Sequence, residues 1–159
     1  MPGFYTVSGA VSPSVPCTTA LVGDRDVSDE PIEIRDDLPQ EIVIRCGGQP
    51  SAVAGVARDA RGAAAVNARV LVFPVEPRFW SGSLIRPRRI VQVEADSGGG
   101  FTITNLPPGD YWAAAVADRD ARDWPAPALL ARVTRVATRL AIGAGEVKRL
   151  DLTTVVVSR

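Results

Sequence analysis

The 159 residues contain no histidine. That single absence removes the usual general base, the commonest metal ligand and the usual triad partner together. Carboxylates, two cysteines and a few aromatic rings are what remains to do chemistry. Asp24, Asp26 and Asp29 cluster in one loop, and Asp118, Asp120 and Asp123 in a second. Oxygen-rich loops at the end of a β-sandwich can hold Ca²⁺, which takes roughly six to eight oxygen ligands. Here Arg25, Arg119 and Arg122 are interleaved with the acids and neutralise them, so both clusters read as solvated turn carboxylates. Asp110, Asp123 and Glu94 are the nearest thing to acid/base pairs, and no spacing selects them. The expectation is a chain that is not an enzyme and that carries no cofactor and no metal.

Cys17 and Cys46 are too few for a zinc site and too far apart for a CxxC redox motif. In an oxidising compartment such a pair closes a disulfide; two buried free thiols are the alternative. Trp80, Trp112 and Trp124 are the aromatic resource. Phe79-Trp80 and Trp124 sit in loop-like sequence beside Pro and Asp, where exposed indoles would make a carbohydrate platform. Trp112 lies in a strand, and there core or rim packing is the competing reading.

Lys plus Arg and Asp plus Glu balance at 18 each, so no net field draws the chain to nucleic acid or to an anionic membrane. No apolar run reaches the length of a membrane span. No leader is visible, since Met1-Pro2-Gly3 runs directly into strand-like sequence. Either the chain begins after processing or it is cytoplasmic. The cysteine pair favours a secreted or cell-envelope location.

Short β-type runs broken by Gly, Pro and Asp dominate the chain and imply a sandwich or barrel. Strands are predicted over 4–11, 18–22, 31–35, 41–46, 52–59, 68–74, 90–95, 101–105, 111–117, 138–142 and 147–157. Ile42, Ile44 and Cys46 alternate with Glu41, Val43 and Arg45, as one buried face of a strand requires. Leu129, Leu130, Val133, Val136 and Ala137 fall at helical spacing instead. A short helix is predicted over about 126–136, entered through Pro125 and Pro127 and packed against the sandwich.

Gly47-Gly48-Gln49-Pro50 marks a boundary. Residues 50–159 read as a complete sandwich of about seven strands, a common count for that architecture. Residues 1–47 supply four short strands, a partial sandwich that cannot close its own core and needs either the second unit or another chain.

Three stretches carry a family resemblance. Val53-Ala-Gly-Val-Ala-Arg-Asp-Ala-Arg-Gly62 is a strand ending in an Asp-x-x-Gly turn, and Ala68-Arg-Val-Leu-Val-Phe-Pro74 is the strand after it. Asp96-Ser-Gly-Gly-Gly-Phe101 then leads through Thr102-Ile-Thr-Asn to Leu106-Pro-Pro-Gly-Asp-Tyr111. Residues 51–157 thereby resemble the carboxypeptidase-regulatory-like, transthyretin-like domains, with an extra glycine at 98–100. Residues 19–46 look like the closing half of a preceding copy in a tandem array. The resemblance implies an all-β, immunoglobulin- or transthyretin-like, non-catalytic accessory module of peptidases, receptors and other envelope proteins. The related hydroxyisourate hydrolases keep active-site histidines and a characteristic tail, and this chain has neither. Without the family, the turn still has readable physics. Phe101 and Ile103 face inward, Leu106 plugs the sandwich end, and Tyr111 buries its ring while its hydroxyl bonds loop backbone.

The unfinished N-terminal half and the β-branched run at 153–157 point to assembly. Phe4, Tyr5 and Val7 at one end and Val155, Val156 and Val157 at the other are the candidate edges through which copies pair. The partners implied are a homo-oligomer or head-to-tail homopolymer. Carbohydrate is the alternative partner.

Overall fold

The computed structural model describes residues 2–7, 9, 15, 17–35, 41–80 and 88–157. The chain is all-β with one short helix. Five strands precede the double glycine: β1 (Gly3–Tyr5), β2 (Cys17–Val22), β3 (Arg25–Asp26), β4 (Ile32–Ile34) and β5 (Ile42–Cys46). Eight follow it. These are β6 (Ala52–Arg58), β7 (Arg69–Pro74), β8 (Val91–Glu94), β9 (Gly100–Thr104), β10 (Gly109–Val116), β11 (Thr138–Ile142), β12 (Val147–Arg149) and β13 (Leu152–Val155). The helix α1 (Pro127–Val133) starts on a proline, and the residues after it turn into β11 as the apolar spacing implies. Of the strand predicted over 4–11, positions 8, 10 and 11 lie outside the described residues.

The C-terminal unit has two pleated layers. β6 pairs antiparallel with β9 and parallel with β12, while β10 pairs antiparallel with both β7 and β11, and β8 extends the layer beyond β7. Strand β13 joins them, pairing with β6 at Leu152–Thr153 and with β10 at Thr154–Val155. Between the layers lie Val53, Ala57, Val70, Val72, Phe101, Ile103, Tyr111, Ala113, Leu140 and Leu152, with Leu106 closing one end.

Strands β7 and β10 are buried on both faces, which explains their continuous apolar runs. Leu71, Phe73, Ala114 and Val116 point away from the first core into a second one, covered by Leu129, Leu130 and Val133 of α1. A helix this short gains its stability from that packing.

Two Asp-to-Gly turns set the strand spacing. Asp59 Oδ1 accepts the N–H groups of Arg61 and Ala63, and Gly62 takes φ +84°. Asp96 Oδ1 does the same for Gly98 and Gly100, with Gly99 at φ +78°. In each case the carboxylate satisfies the donors that the tight reversal orphans.

The run 147–157, predicted as one strand, is interrupted at Leu150-Asp151. Its cause sits on β6. A Cβ on Gly55 would lie 1.8 Å from the Leu150 carbonyl oxygen, so only glycine lets the two backbones approach. The Leu150 N–H donates to Ala54 O at 2.9 Å, and Asp151 Oδ1 accepts the Val56 N–H at 3.0 Å. This kink lets one chain segment serve both layers.

The N-terminal unit is thinner. β2 lies between β3 and β5, β1 pairs with β4, and the core between them consists of Ala20, Val27 and Ile32 with Val7, Val22, Ile34 and Ile42 partly covered. The alternation in β5 holds at Ile42, but Ile44 of the same row is left exposed.

Because the Leu150 carbonyl is backbone and cannot rotate away, Gly55→Ala should destabilise the sandwich by about 2–3 kcal/mol, the upper part of the usual overpacking range. Chemical denaturation followed by tryptophan emission measures it. An unchanged midpoint would show that the β12–β13 kink does not depend on this contact.

Candidate functional site

The most connected polar cluster lies where the two units meet. Tyr111 enters the first core with its ring fully buried, directly after the Leu106-Pro-Pro-Gly turn. Its hydroxyl donates to Pro107 O at 2.5 Å and accepts from Arg89 Nη1 at 2.9 Å. The same Nη1 donates to Pro108 O at 2.9 Å. The Ser51 hydroxyl donates to Leu106 O and closes the turn from the other side. Arg89 is thus fixed to the sandwich before it meets anything else.

Its Nε then donates to Asp29 Oδ2 at 2.6 Å, across to the N-terminal unit. Arg88 adds a two-pronged contact, Nε to Asp29 Oδ1 at 2.8 Å and Nη2 to Oδ2 at 3.2 Å, and its Nη1 donates to Thr18 O at 2.9 Å. The Asp29 side chain is only 14% exposed. Burial alone would raise its carboxyl, but hydrogen bonds and charge from Arg88 and Arg89 outweigh that and hold it below the ordinary carboxylate value. Burial, partly offset by Arg89, pushes the Tyr111 hydroxyl up to about 12, so it stays protonated and able to donate. The cluster is a two-arginine clamp on a carboxylate, with a neutral phenol bracing one arm.

Asp29 was one of three acids in the first loop cluster, and the structure separates them. Asp26 Oδ1 accepts the N–H and the hydroxyl of Ser28, a local turn, while Asp29 faces the arginines. In the second cluster Asp118 bonds Arg69 Nε at 2.8 Å, and Asp123 lies 4.0 Å from Arg132. Among the described residues no group of three or more acids or cysteines gathers as a metal site. No helix among them is long and apolar enough to cross a membrane.

The three tryptophans pack against the second core. Trp80 and Trp124 meet Phe73 edge-on at 5.6 and 6.1 Å between ring centroids, and Trp80 Nε1 donates to Pro74 O at 2.7 Å. Trp112 leans on the same cluster from β10. All three are half-buried around one apolar layer instead of forming a row on one surface.

Cys17 and Cys46 face each other across β2 and β5 and form a disulfide. The candidate edges divide. Phe4 is 76% exposed on β1, Tyr5 is exposed beside it, and Val7 leans on the small N-terminal core. Of the C-terminal candidates, Val155 pairs with Val116 of β10, Val157 is buried and Val156 is exposed. This run is a strand between two sheets, because the kink at Leu150-Asp151 steers it inward. Sequence reading did not identify Arg88 and Arg89 as site residues. Their one local signal was an adjacent arginine pair just before a predicted strand.

No family model matches the sequence, and no curated protein matches it. The likeness to carboxypeptidase-regulatory-like domains therefore rests on the quoted motifs. Among solved structures, the chain is similar to the Bacillus anthracis TIE protein, with 13% identity and a TM-score of 0.39 over 77% of this chain and 20% of that one. It is similar to a streptococcal ancillary pilin, with 16% identity and a TM-score of 0.44 over 93% of this chain and 42% of that one. An Acinetobacter catechol 1,2-dioxygenase gives 12% identity and 0.36, over 65% and 52%. The chain spans a fifth of the first of these and about half or less of the others. Likenesses this loose carry no argument about what the chain does.

Two outcomes follow. Asp29 has a depressed folded value, so its clamp stabilises docking in full above the unfolded value of 3.8 and loses that stabilisation as pH falls through the folded value. Hydrogen-exchange protection in β2 and β4, taken relative to the intrinsic rate at each pH, should be high at neutral pH and fall in acid below about 3.8. Asp29→Asn should loosen docking at neutral pH by about 1–3 kcal/mol and abolish the acid step. An unaltered acid step in that variant would assign it elsewhere. Separately, the disulfide closes a separation of 29 residues, and its reduction should cost the N-terminal unit about 3–4 kcal/mol. Alkylation without reductant should add no mass; labelling of both cysteines would show free thiols.

Proposed function

We propose that this chain is a non-catalytic structural module that joins copies of itself through the strands of its N-terminal unit, in a secreted or cell-envelope setting. The observation that carries the reading is the mismatch between that unit's core and its surface. Among its described residues three small or medium side chains are buried, while Phe4 is 76% exposed and Val43 and Ile44 are 43% and 40% exposed. Among the described residues β5, which carries Val43 and Ile44, lies at the end of its sheet, with β2 on one side. An apolar strand at an open sheet edge presents both unpaired backbone groups and side chains that gain from burial.

Toward the other end of the described chain, β13 pairs with β6 at Leu152–Thr153 and with β10 at Thr154–Val155, so its backbone is already engaged. Assembly through the N-terminal unit alone would join like surfaces and close as a two-fold dimer; growth into a polymer needs a second, different contact. The Cys17–Cys46 disulfide supports the oxidising location. Carbohydrate binding, the alternative, has less support because the three indoles are engaged with one another's apolar layer.

Light scattering after gel filtration tests the reading. The wild type should gain mass as its concentration rises. A Phe4→Lys/Val43→Lys/Ile44→Lys variant should stay monomeric with its sandwich melting unchanged. A wild type that remains monomeric at its highest soluble concentration would sink the proposal.

A further inference from the structure

The two units are joined in an unusual way for parts of one folded chain. Among the described residues their apolar clusters share no member: one is built from positions 7–42, the others from position 53 onward. Every hydrogen bond found between them among those residues runs through Arg88 or Arg89, to Asp29 or to Thr18 O. The connection is a polar clamp, not a shared core.

Arg89, one arm of the clamp, is preformed on the sandwich, whereas the hydrogen bonds found for Arg88 run to the N-terminal unit. Arg89 is held by Pro108 O and the Tyr111 hydroxyl, and its guanidinium lies 5.6 Å from the Phe79 ring centroid. None of these groups belongs to the N-terminal unit. The carboxylate stands at the turn that follows β3, where Val27 N–H bonds Ala20 O at 2.8 Å. Between the two lies Gly47-Gly48, with φ of +136° and +79° and nothing within 4 Å of either missing Cβ. Two unencumbered glycines in a short connection form a hinge.

We propose that Arg88, Arg89 and the Tyr111 hydroxyl form a carboxylate socket with an exchangeable occupant: the Asp29 turn of the same chain, or the Asp29 turn of a second copy whose N-terminal unit has swung out on Gly47–Gly48. The contacts made in trans are the same ones made in cis, so exchange conserves the clamp and changes only which chain supplies it. Because no apolar cluster among the described residues spans the two units, the transition exposes chiefly charges that water solvates readily. A short hinge between complete contact surfaces is the arrangement in which exchange competes with the closed monomer. The inference shares with the edge-strand reading only the identity of the partner, and it is tested with that edge disabled.

In the Phe4→Lys/Val43→Lys/Ile44→Lys background, Asp29→Arg is made in one protein and Arg88→Asp/Arg89→Asp in another. Neither can latch to itself, since each opposes like charges. Each fits the other in both directions, so mixing should give a species of doubled mass containing one of each by native mass spectrometry. The three tryptophans all lie in the sandwich and report that its fold is intact throughout. A second variant leaves every latch residue in place and deletes Gly47 and Gly48 from the lysine-bearing chain. Shortening the hinge should convert that protein from monomer to dimer. Mixed charge variants that stay monomeric with native tryptophan emission, or a hinge deletion that stays monomeric, would overturn the proposal. Loss of concentration-dependent association in the wild type alone bears only on the edge strands.

Discussion

The Arg89 guanidinium faces three ways at once: to the Pro108 carbonyl, to the Tyr111 hydroxyl and to the Asp29 carboxylate. The joining of the two units depends on this. Tyr111 is held because the Leu106-Pro-Pro-Gly turn places a carbonyl within reach of its hydroxyl, and that phenol fixes Arg89. A flexible arginine would lose much of its attraction for Asp29 to the entropy of being ordered; one already braced by two other acceptors loses little. The turn that closes one end of the sandwich is therefore also the platform from which the N-terminal unit is held.

A second constraint shapes what the sandwich can offer a partner. β7 and β10 are covered on both faces, so the molecule needs a third layer, and α1 with the indoles of Trp80, Trp112 and Trp124 supplies it. Phe73 is the centre of that layer, with two tryptophans set edge-on to it. Aromatic residues that read as loop surface are drawn inward because a doubly buried strand leaves an apolar face that water would otherwise meet. The same demand draws Val155 and Val157 toward the second core.

What could be read from the chain follows the range of the interaction concerned. The turns at Asp59 and Asp96 and the buried Tyr111 were legible because a carboxylate, a glycine and a phenol act on backbone within a few residues. The all-β class and the helix entrance at Pro127 were legible for the same reason. The kink at Leu150-Asp151 was not, since its cause is Gly55, nearly a hundred positions earlier in the chain. Nor was the role of Asp29. In sequence it is one acid among three in a loop, and only the fold brings it to arginines 59 and 60 positions away. A glycine in a strand hints at close approach without naming the partner, and an acidic residue hints at a cation without saying whether it is a metal or an arginine.

The N-terminal unit shows why a polar clamp suits a part that must find company. Among the described residues its buried core is Ala20, Val27 and Ile32, too little apolar surface removed from water to hold these strands by packing alone. The disulfide narrows its unfolded ensemble, and the clamp tethers it to the sandwich, but neither covers Phe4, Val43 or Ile44. Had the unit been docked by an apolar face, those side chains would have been the natural ones to bury, and separating the units would then cost in proportion to the area exposed. Docking through charge leaves the apolar side chains available to a partner. It also makes release inexpensive, because water replaces much of what the arginines provide. Apolar exposure and polar docking are thus separated within one small unit, the first on β1 and β5 and the second at the turn carrying Asp29.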